Sequence, residues 1–412
     1  MKKKIALLVL TMLTLQIFVT GCWDYIEYEQ MAQVIGIGVD IDNTTKQLTV
    51  SHQYLNPQRS NGAESSGTAP SKIGLAFSAT DYSNYGAVAT LQQVTLNRMF
   101  YGYLKVFILG EEAVQNSLAD QIDVLDRTPV IRETAYFLVA SGTAEKVLCT
   151  VEENSSNPSS QIMCGLLKNA GEIGTAFPVT IHDVAEMLAV GGWEVTIPRV
   201  ISTAEDSNRT ITGGSDDIAR IDEKYKGGLK ISGMAAFKGD KFAGWLDEKE
   251  TLGFGWITGK NITAYKVIPD QIGTNQSDML YFRTSKSGSK IKPELVNNEP
   301  VINVDVNVEA TLRKYYTNDD SVILEPQAIT AIEKELTESI RSDIQAALSQ
   351  GQTELKSDIF GFGFAFFRKY PKLWNTRYEK IWSDIYPDIP VNVTVKVKVR
   401  DTGSNIRRLI VK

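Results

Sequence analysis

Residues 302–312 read Ile-Asn-Val-Asp-Val-Asn-Val-Glu-Ala-Thr-Leu, and their alternation decides how the second half of the chain folds. A period of two puts Ile302, Val304, Val306, Val308, Ala310 and Leu312 on one face and Asn303, Asp305, Asn307 and Glu309 on the other. That is a half-buried antiparallel strand with one wet face. The closing stretch 391–399, VNVTVKVKV, repeats the pattern, with valine at every odd position opposite Asn392, Thr394, Lys396 and Lys398. Between the two, Ile329, Ile332, Leu336, Ile340, Ile344 and Leu348 form a seam at three- and four-residue spacing, a helix of about six turns. An aromatic helix from Phe360 to Tyr370 follows it. Upstream, residues 230–247 read as a hairpin turning at Lys238-Gly239-Asp240. Strands, a helical block and a closing strand predict an α+β arrangement led by an antiparallel sheet.

The first half alternates instead. Residues 33–40 and 47–55 form a predicted hairpin around Asp42-Asn43-Thr44. Residues 56–72, rich in Pro, Gly, Ser and Asn, read as a surface loop. Helical spacing recurs over Tyr82–Leu96 (Val88, Leu91, Val94, Thr95) and again through Val114, Leu118, Ile122 and Leu125. Buried-type strands are expected at 104–110 and 134–140, and Thr143 caps a helix running to about Cys149. Ile173–Val190 reads as one further helix, with Pro178 near its start and Gly191-Gly192 as its stop. This predicts a mixed sheet. The composition turns polar between Ser202 and Gly228, so the expected division is a signal peptide over 1–21, an N-terminal domain over 22–201, a linker over 202–228 and a C-terminal domain over 229–412.

The start of the chain carries the sharpest local signal. Met1-Lys2-Lys3-Lys4 is a positive segment, an apolar run follows, and Val19-Thr20-Gly21-Cys22 ends it. The run is short for a hydrocarbon core of about 30 Å, and polar sequence follows at once, which is the pattern of a signal peptide. The Val-Thr-Gly-Cys ending resembles the lipobox of bacterial lipoproteins. It makes Cys22 the expected attachment point of S-diacylglycerol and N-palmitoyl groups, and such chains tether a soluble domain stably. No second apolar run of comparable length follows.

With a hydrophobic fraction of 43% and a charged fraction of 22%, the 412-residue chain is foldable rather than disordered. Its formal net charge is −6. An acidic chain without a basic tract is a poor nucleic-acid binder. Three cysteines are too few for a disulfide scaffold, and the two histidines, His52 and His182, leave little for a transition metal. His182 adjoins Asp183, but neighbours on a helix point about 100° apart and cannot serve as base and orienter. His52 shares a strand face with Leu48, Val50 and Tyr54 and reads as a core histidine. Asp40-Ile-Asp42-Asn43 imitates a calcium loop without its glycine or distal glutamate, and reads as a turn. Thr251–Lys260 imitates a phosphate loop, but Phe254 and Asn261 stand where glycine and Ser or Thr belong. It reads as a glycine-bearing strand or bend. Gly361 and Gly363, among phenylalanines, suggest a tight helix contact. Cys149 and Cys164 are expected as free, buried thiols, with a disulfide the alternative. Trp374, Tyr378, Trp382 and Tyr386 fit either an aromatic core or a membrane or partner face. No catalytic, cofactor-binding or metal residue is assigned.

Four stretches, in order along the chain, carry a resemblance to a known family. They are Gly21-Cys22-Trp23-Asp24 with QVIGIGVDID (33–42), ISGMAAFKGDKFAGWLDEKETLG (231–253) with its GWITGK ending, SDIFGFGFAFFRKYPKLW (357–374), and the valine-alternating end with Arg400-Asp401-Thr402-Gly403. The chain resembles the Ger(x)C family of germination lipoproteins, the C subunits of spore nutrient germinant receptors. The resemblance implies an α+β protein of more than one domain, without enzymatic activity. It also implies a chain held by lipid on the extracytoplasmic face of the spore inner membrane. The implied partners are two integral-membrane subunits, a large A-type one with cytosolic domains and a transporter-like B-type one, in a receptor for amino acids, sugars or nucleosides. Two other readings compete: a solute-binding lipoprotein delivering a small ligand to a transporter-like partner, which needs a cleft between comparable lobes, and an exported hydrolase, which needs a nucleophile–base pair.

Overall fold

Strands β1 (Met31–Ile41) and β2 (Leu48–Leu55) fold back on each other across the predicted turn. Asp42 closes that turn: its Oδ1 accepts from the backbone N–H of Thr44 at 2.7 Å and of Thr45 at 3.2 Å. The structure is a computed structural model. It describes residues 3–5, 11, 26–27, 30–55, 74–116, 118–151, 157–203, 205–206, 218–220, 225–260, 263–269, 279–316 and 326–401. The loop predicted over 56–72 and the lipobox with Cys22 lie outside the described residues.

The hairpin belongs to a ten-stranded sheet, in the order Ile218–Arg220, β3 (Gly74–Asp81), β2, β1, β4 (Val106–Leu109), β5 (Tyr136–Ser141), β6 (Thr196–Ser202), β7 (Leu229–Lys238) and β8 (Lys241–Leu246). Arg98–Phe100 pairs beside β1. β1, β4, β5 and β6 run parallel, and antiparallel strands flank them on both sides. β4 is apolar throughout, as a strand covered on both faces must be. Phe107 and Leu109 pack into the core beneath α1 (Asn84–Val94) and α2 (Leu118–Asp126). Val106 and Ile108 belong to a second cluster under α3 (Ala144–Cys149) and α4 (Ser159–Ile173).

The helix predicted over Ile173–Val190 is shorter than expected, and the sequence reading did not find α4 ahead of it. Ile173 ends α4, which stops at Gly174 in the left-handed conformation (φ 81°). A new helix, α5 (Ile181–Ala189), starts at Thr180, whose hydroxyl accepts from Asp183 N while Asp183 accepts from Thr180 N. Pro178 therefore precedes the helix rather than opening it. The hairpin β7–β8 turns at Gly239 as expected, yet it hydrogen-bonds to β6 and completes the first half's sheet.

The stretch 251–260 is neither strand nor bend. It forms α6 (Glu248–Thr258), capped reciprocally by Asp247 and Glu250 and stopped at Gly259. Gly253 and Gly255 disguise it because glycine is a poor helix former. Gly253 is required by packing: a Cβ there would lie 2.6 Å from the Asp343 carbonyl carbon on α7 (Pro326–Ser349). At the same junction Lys266 Nζ sits 2.7 Å from Asp343 Oδ2, which also accepts from Trp256 Nε1 at 3.2 Å.

The second sheet runs β9 (Tyr265–Pro269), β10 (Met279–Val296), β11 (Glu299–Tyr316) and β12 (Val391–Asp401). The predicted strand over 302–312 lies within β11, with Ile302, Val304, Val306, Val308, Ala310 and Leu312 buried. β9–β11 are antiparallel, and the closing β12 lies parallel to β11. The sequence reading did not find β10, whose Lys- and Ser-rich centre shows no apolar alternation. Its local signal is Asn297-Asn298, both at positive φ (52° and 64°), the hairpin turn into β11. α7 lays Ile332, Leu336, Ile340, Ile344 and Ala347 into the core, followed by α8 (Phe362–Lys369) and α9 (Glu379–Ile385). The whole is α+β: a large mixed sheet, then a sheet-plus-helices C-terminal part.

Candidate functional site

Cys22, the one site residue expected from the sequence, lies outside the described residues. Among those described, no helix is long and apolar enough to cross a membrane. Cys149 is buried and Cys164 half-buried, and the two do not form a disulfide with each other. The two histidines occupy opposite environments. His182 is exposed, and its Nδ1 lies 3.0 Å from Glu133 Oε2, while Asp183 is taken up by the cap of α5. Asp40 and Asp42 serve different elements, Asp42 the hairpin turn and Asp40 a helix. Asp40 accepts from the backbone of Ala144 at 2.7 Å and Glu145 at 2.9 Å, capping α3, and burial pushes it up to about 6.

Two buried polar centres stand out. The first is Asp358, which joins the halves. Its Oδ1 accepts from Phe362 N (3.0 Å), and its Oδ2 accepts from Gly363 N (2.7 Å) and Trp382 Nε1 (2.8 Å). Its backbone carbonyl accepts from Glu194 N at 3.1 Å. Burial pushes the carboxyl up to about 7 against the pull of those three donors. Around it, Trp193 stacks on Phe364 at 5.9 Å and Phe364 N donates to Gly192 O at 2.8 Å. A Cβ at Gly363 would meet Gly192 Cα at 2.8 Å, so the two backbones touch because neither residue has a side chain. Trp374, Tyr378, Trp382 and Tyr386 are all buried here, so the aromatic cluster is core. Sequence reasoning singled out Gly363 and the aromatics but missed Asp358, although an aspartate just ahead of a helix is a capping signal.

The second centre surrounds His52. The ring is 1% exposed, and its Nδ1 lies 3.2 Å from the Tyr54 hydroxyl. Burial drives its pKa down to about 3, so it is neutral. It lines a cavity of about 140 Å³ between the sheet and helices α1 and α2. Val39, Val50, Val88, Phe107, Leu125 and Ile131 supply apolar wall. Asn84 and Gln121 also line it, and the buried Asn84 Oδ1 has no hydrogen-bond partner. The sequence reading found His52 but neither amide, because their meeting depends on how α1 and α2 cross the sheet.

Both halves match family models. Residues 24–202 match the spore germination protein N-terminal domain, and residues 232–403 match the spore germination B3/GerAC-like C-terminal domain. The chain belongs to the GerAC-like family of spore germination proteins. Relatives in this family include spore germination protein KC of Bacillus subtilis (strain 168), 26% identical over 98% of this chain and 97% of that one. Spore germination protein B3 of the same organism is 22% identical over 93% and 94% of the two chains. The crystal structure of the GerBC protein superposes with a TM-score of 0.54 at 20% identity, covering 89% of this chain and 97% of that one, which shows a common fold.

Proposed function

We propose that this protein is a non-enzymatic subunit of a spore nutrient germinant receptor, anchored through acylated Cys22 and required for the germination response. It sits on the extracytoplasmic face of the spore inner membrane and assembles with A-type and B-type integral-membrane subunits. The observation that carries this reading is similarity to spore germination proteins along both halves, in order and over nearly the full length. The competing solute-delivery reading needs an open cleft between two lobes. Where the halves meet at Gly192 and Gly363, backbone packs on backbone instead.

Mass spectrometry of the mature protein tests the anchor: the N-terminal residue should be a modified Cys22, and Cys22→Ala should stop processing. A mature N-terminus elsewhere overturns that part. For function, deleting the gene should abolish germination toward particular nutrients while growth and receptor-independent germination persist. Co-purification of the lipidated protein with two integral-membrane subunits tests the assembly, and recovery of the protein without either refutes it.

A further inference from the structure

A lipid on Cys22 limits which end of the molecule can meet a membrane. Ile26 is the described residue nearest to Cys22 in sequence, and the four peptide steps between them span at most about 14 Å. Gln30 N donates to Glu27 O at 2.9 Å, so the segment turns directly into β1 at Met31. From there β1 runs eleven residues, up to about 36 Å, to the turn at Asp42–Thr44.

Apolar side chains stand exposed at the tethered end. Arg98–Phe100 pairs with the start of β1, Met31 opposite Arg98. Leu96, two residues earlier, therefore sits beside the incoming tether, and it is 100% exposed. Val94, at the end of α1, is exposed too. So is Tyr103, on the link into β4, with its ring 5.7 Å from that of Phe100. Val130 is exposed on the link from α2 into β5. β4 and β5 run parallel to β1, so all three strands begin at this end, and Tyr101 and Ile131 from the two links line one cavity. Arg98 and Arg132 are exposed here, while Glu133 is engaged by His182 at 3.0 Å.

Single exposed apolar residues are ordinary on a folded surface. These share the end to which the acylated residue is tied. Acyl chains entering the hydrocarbon hold that end at the headgroups. Leucine, valine and tyrosine tips then meet the interface rather than water, and the arginines meet phosphate. We propose that this end of the large sheet docks on the bilayer surface, with Leu96, Val94, Tyr103 and Val130 in the interfacial layer and β1 pointing away from the membrane. The inference rests on acylation of Cys22, and its experiment separates the two.

The probe is a nitroxide on Leu96→Cys or Thr44→Cys, in the lipidated mature chain reconstituted in vesicles of phosphatidylcholine and phosphatidylglycerol. Cys164→Ser is the background, because Cys164 is only half-buried. At residue 96, collisions with oxygen should exceed those with a water-soluble nickel chelate, and at residue 44 the order should reverse. Val94→Asp combined with Tyr103→Asp, both at exposed positions, should return the residue 96 probe to the order seen at 44. Should that double variant fail to fold, the comparison of 96 with 44 decides the matter. Mass spectrometry of the same sample reads the acylation. Acylated protein with both probes in water overturns the docking and leaves the anchor standing, whereas an unmodified Cys22 overturns the anchor and the docking with it. A residue 96 probe shielded from both reagents would mark a protein contact and overturns the docking, as does an unchanged order in the folded double variant.

Discussion

Asp358 and His52 are both buried and both lie beneath aromatic side chains, yet their surroundings differ in kind. Three donors converge on Asp358, and the space around it is filled to the point where two glycines touch. His52 has one hydrogen bond to Tyr54 and stands at the wall of a cavity with an unpartnered amide oxygen nearby. A fully partnered polar group in a packed setting fixes how elements meet. A partly partnered one beside empty volume constrains its neighbours less. The burial of the two residues is alike, and partner count and packing separate their roles.

The largest break in this contrast should come from Asp358→Ala. It leaves three buried donors unpaired at the junction of the halves, and urea unfolding should register a loss of roughly 3–5 kcal/mol. A loss under 1 kcal/mol would mean the junction relaxes freely and is no different from the cavity wall.

Titration of the same residue gives the next effect. Its folded pKa of about 7 lies above the ordinary 3.8, so between those values the folded state holds the extra proton. The stabilisation is complete below pH 3.8 and is lost as pH rises through 7. From pH 5 to 8 the wild type should lose roughly 2–3 kcal/mol through this group. Asp40, raised to about 6, adds to the same slope. Asp358→Asn should flatten that decline; an unchanged slope would assign it elsewhere.

His52 works in the opposite sense. Its folded pKa of about 3 lies below the ordinary 6.5, so the unfolded chain takes up the proton first and stability falls as pH drops from 6.5 toward 3. His52→Leu removes that loss. Relative to wild type it should gain about 2 kcal/mol on going from pH 7 to pH 5, and at pH 7 it should differ by about 1 kcal/mol at most. Parallel pH curves for the two proteins would sink this account.

His182→Gln should have the smallest effect. The ring is exposed beside Glu133 and contacts neither centre, so stability should change by less than about 0.5 kcal/mol, with normal germination. A well-folded, correctly lipidated but inactive His182→Gln protein would reveal a chemical role outside both centres.

The alternating valines of 302–312 and 391–399, the α7 seam, the first hairpin and the α+β class were all legible in the sequence. So was the core position of His52. These depend on periodicity and turn residues, which act over a few neighbours. The lipobox reading of Cys22 is a local expectation of the same kind, on a residue outside those described. Reading failed where two local signals conflicted or where the deciding contact lay far away. Glycines at 253 and 255 masked α6 because their purpose is the closeness of Asp343, nearly a hundred residues on. The Gly174 stop and the Thr180 cap leave 174–180 outside any helix, so the helix expected over Ile173–Val190 runs only from Ile181 to Ala189.

What the sequence determined by itself was the identity and period of most elements and, through four collinear motifs, the family. Only the tertiary structure decided that the 229–246 hairpin completes the first half's sheet, that Trp374 to Tyr386 are interior, and that Asp358 joins the halves. It alone brought His52, Asn84 and Gln121 around one cavity. The physical reason is range. Backbone propensity and amphipathic period are written within one or two turns, whereas strand partners, backbone contact at glycine and the pairing of a buried amide depend on residues far apart in the chain.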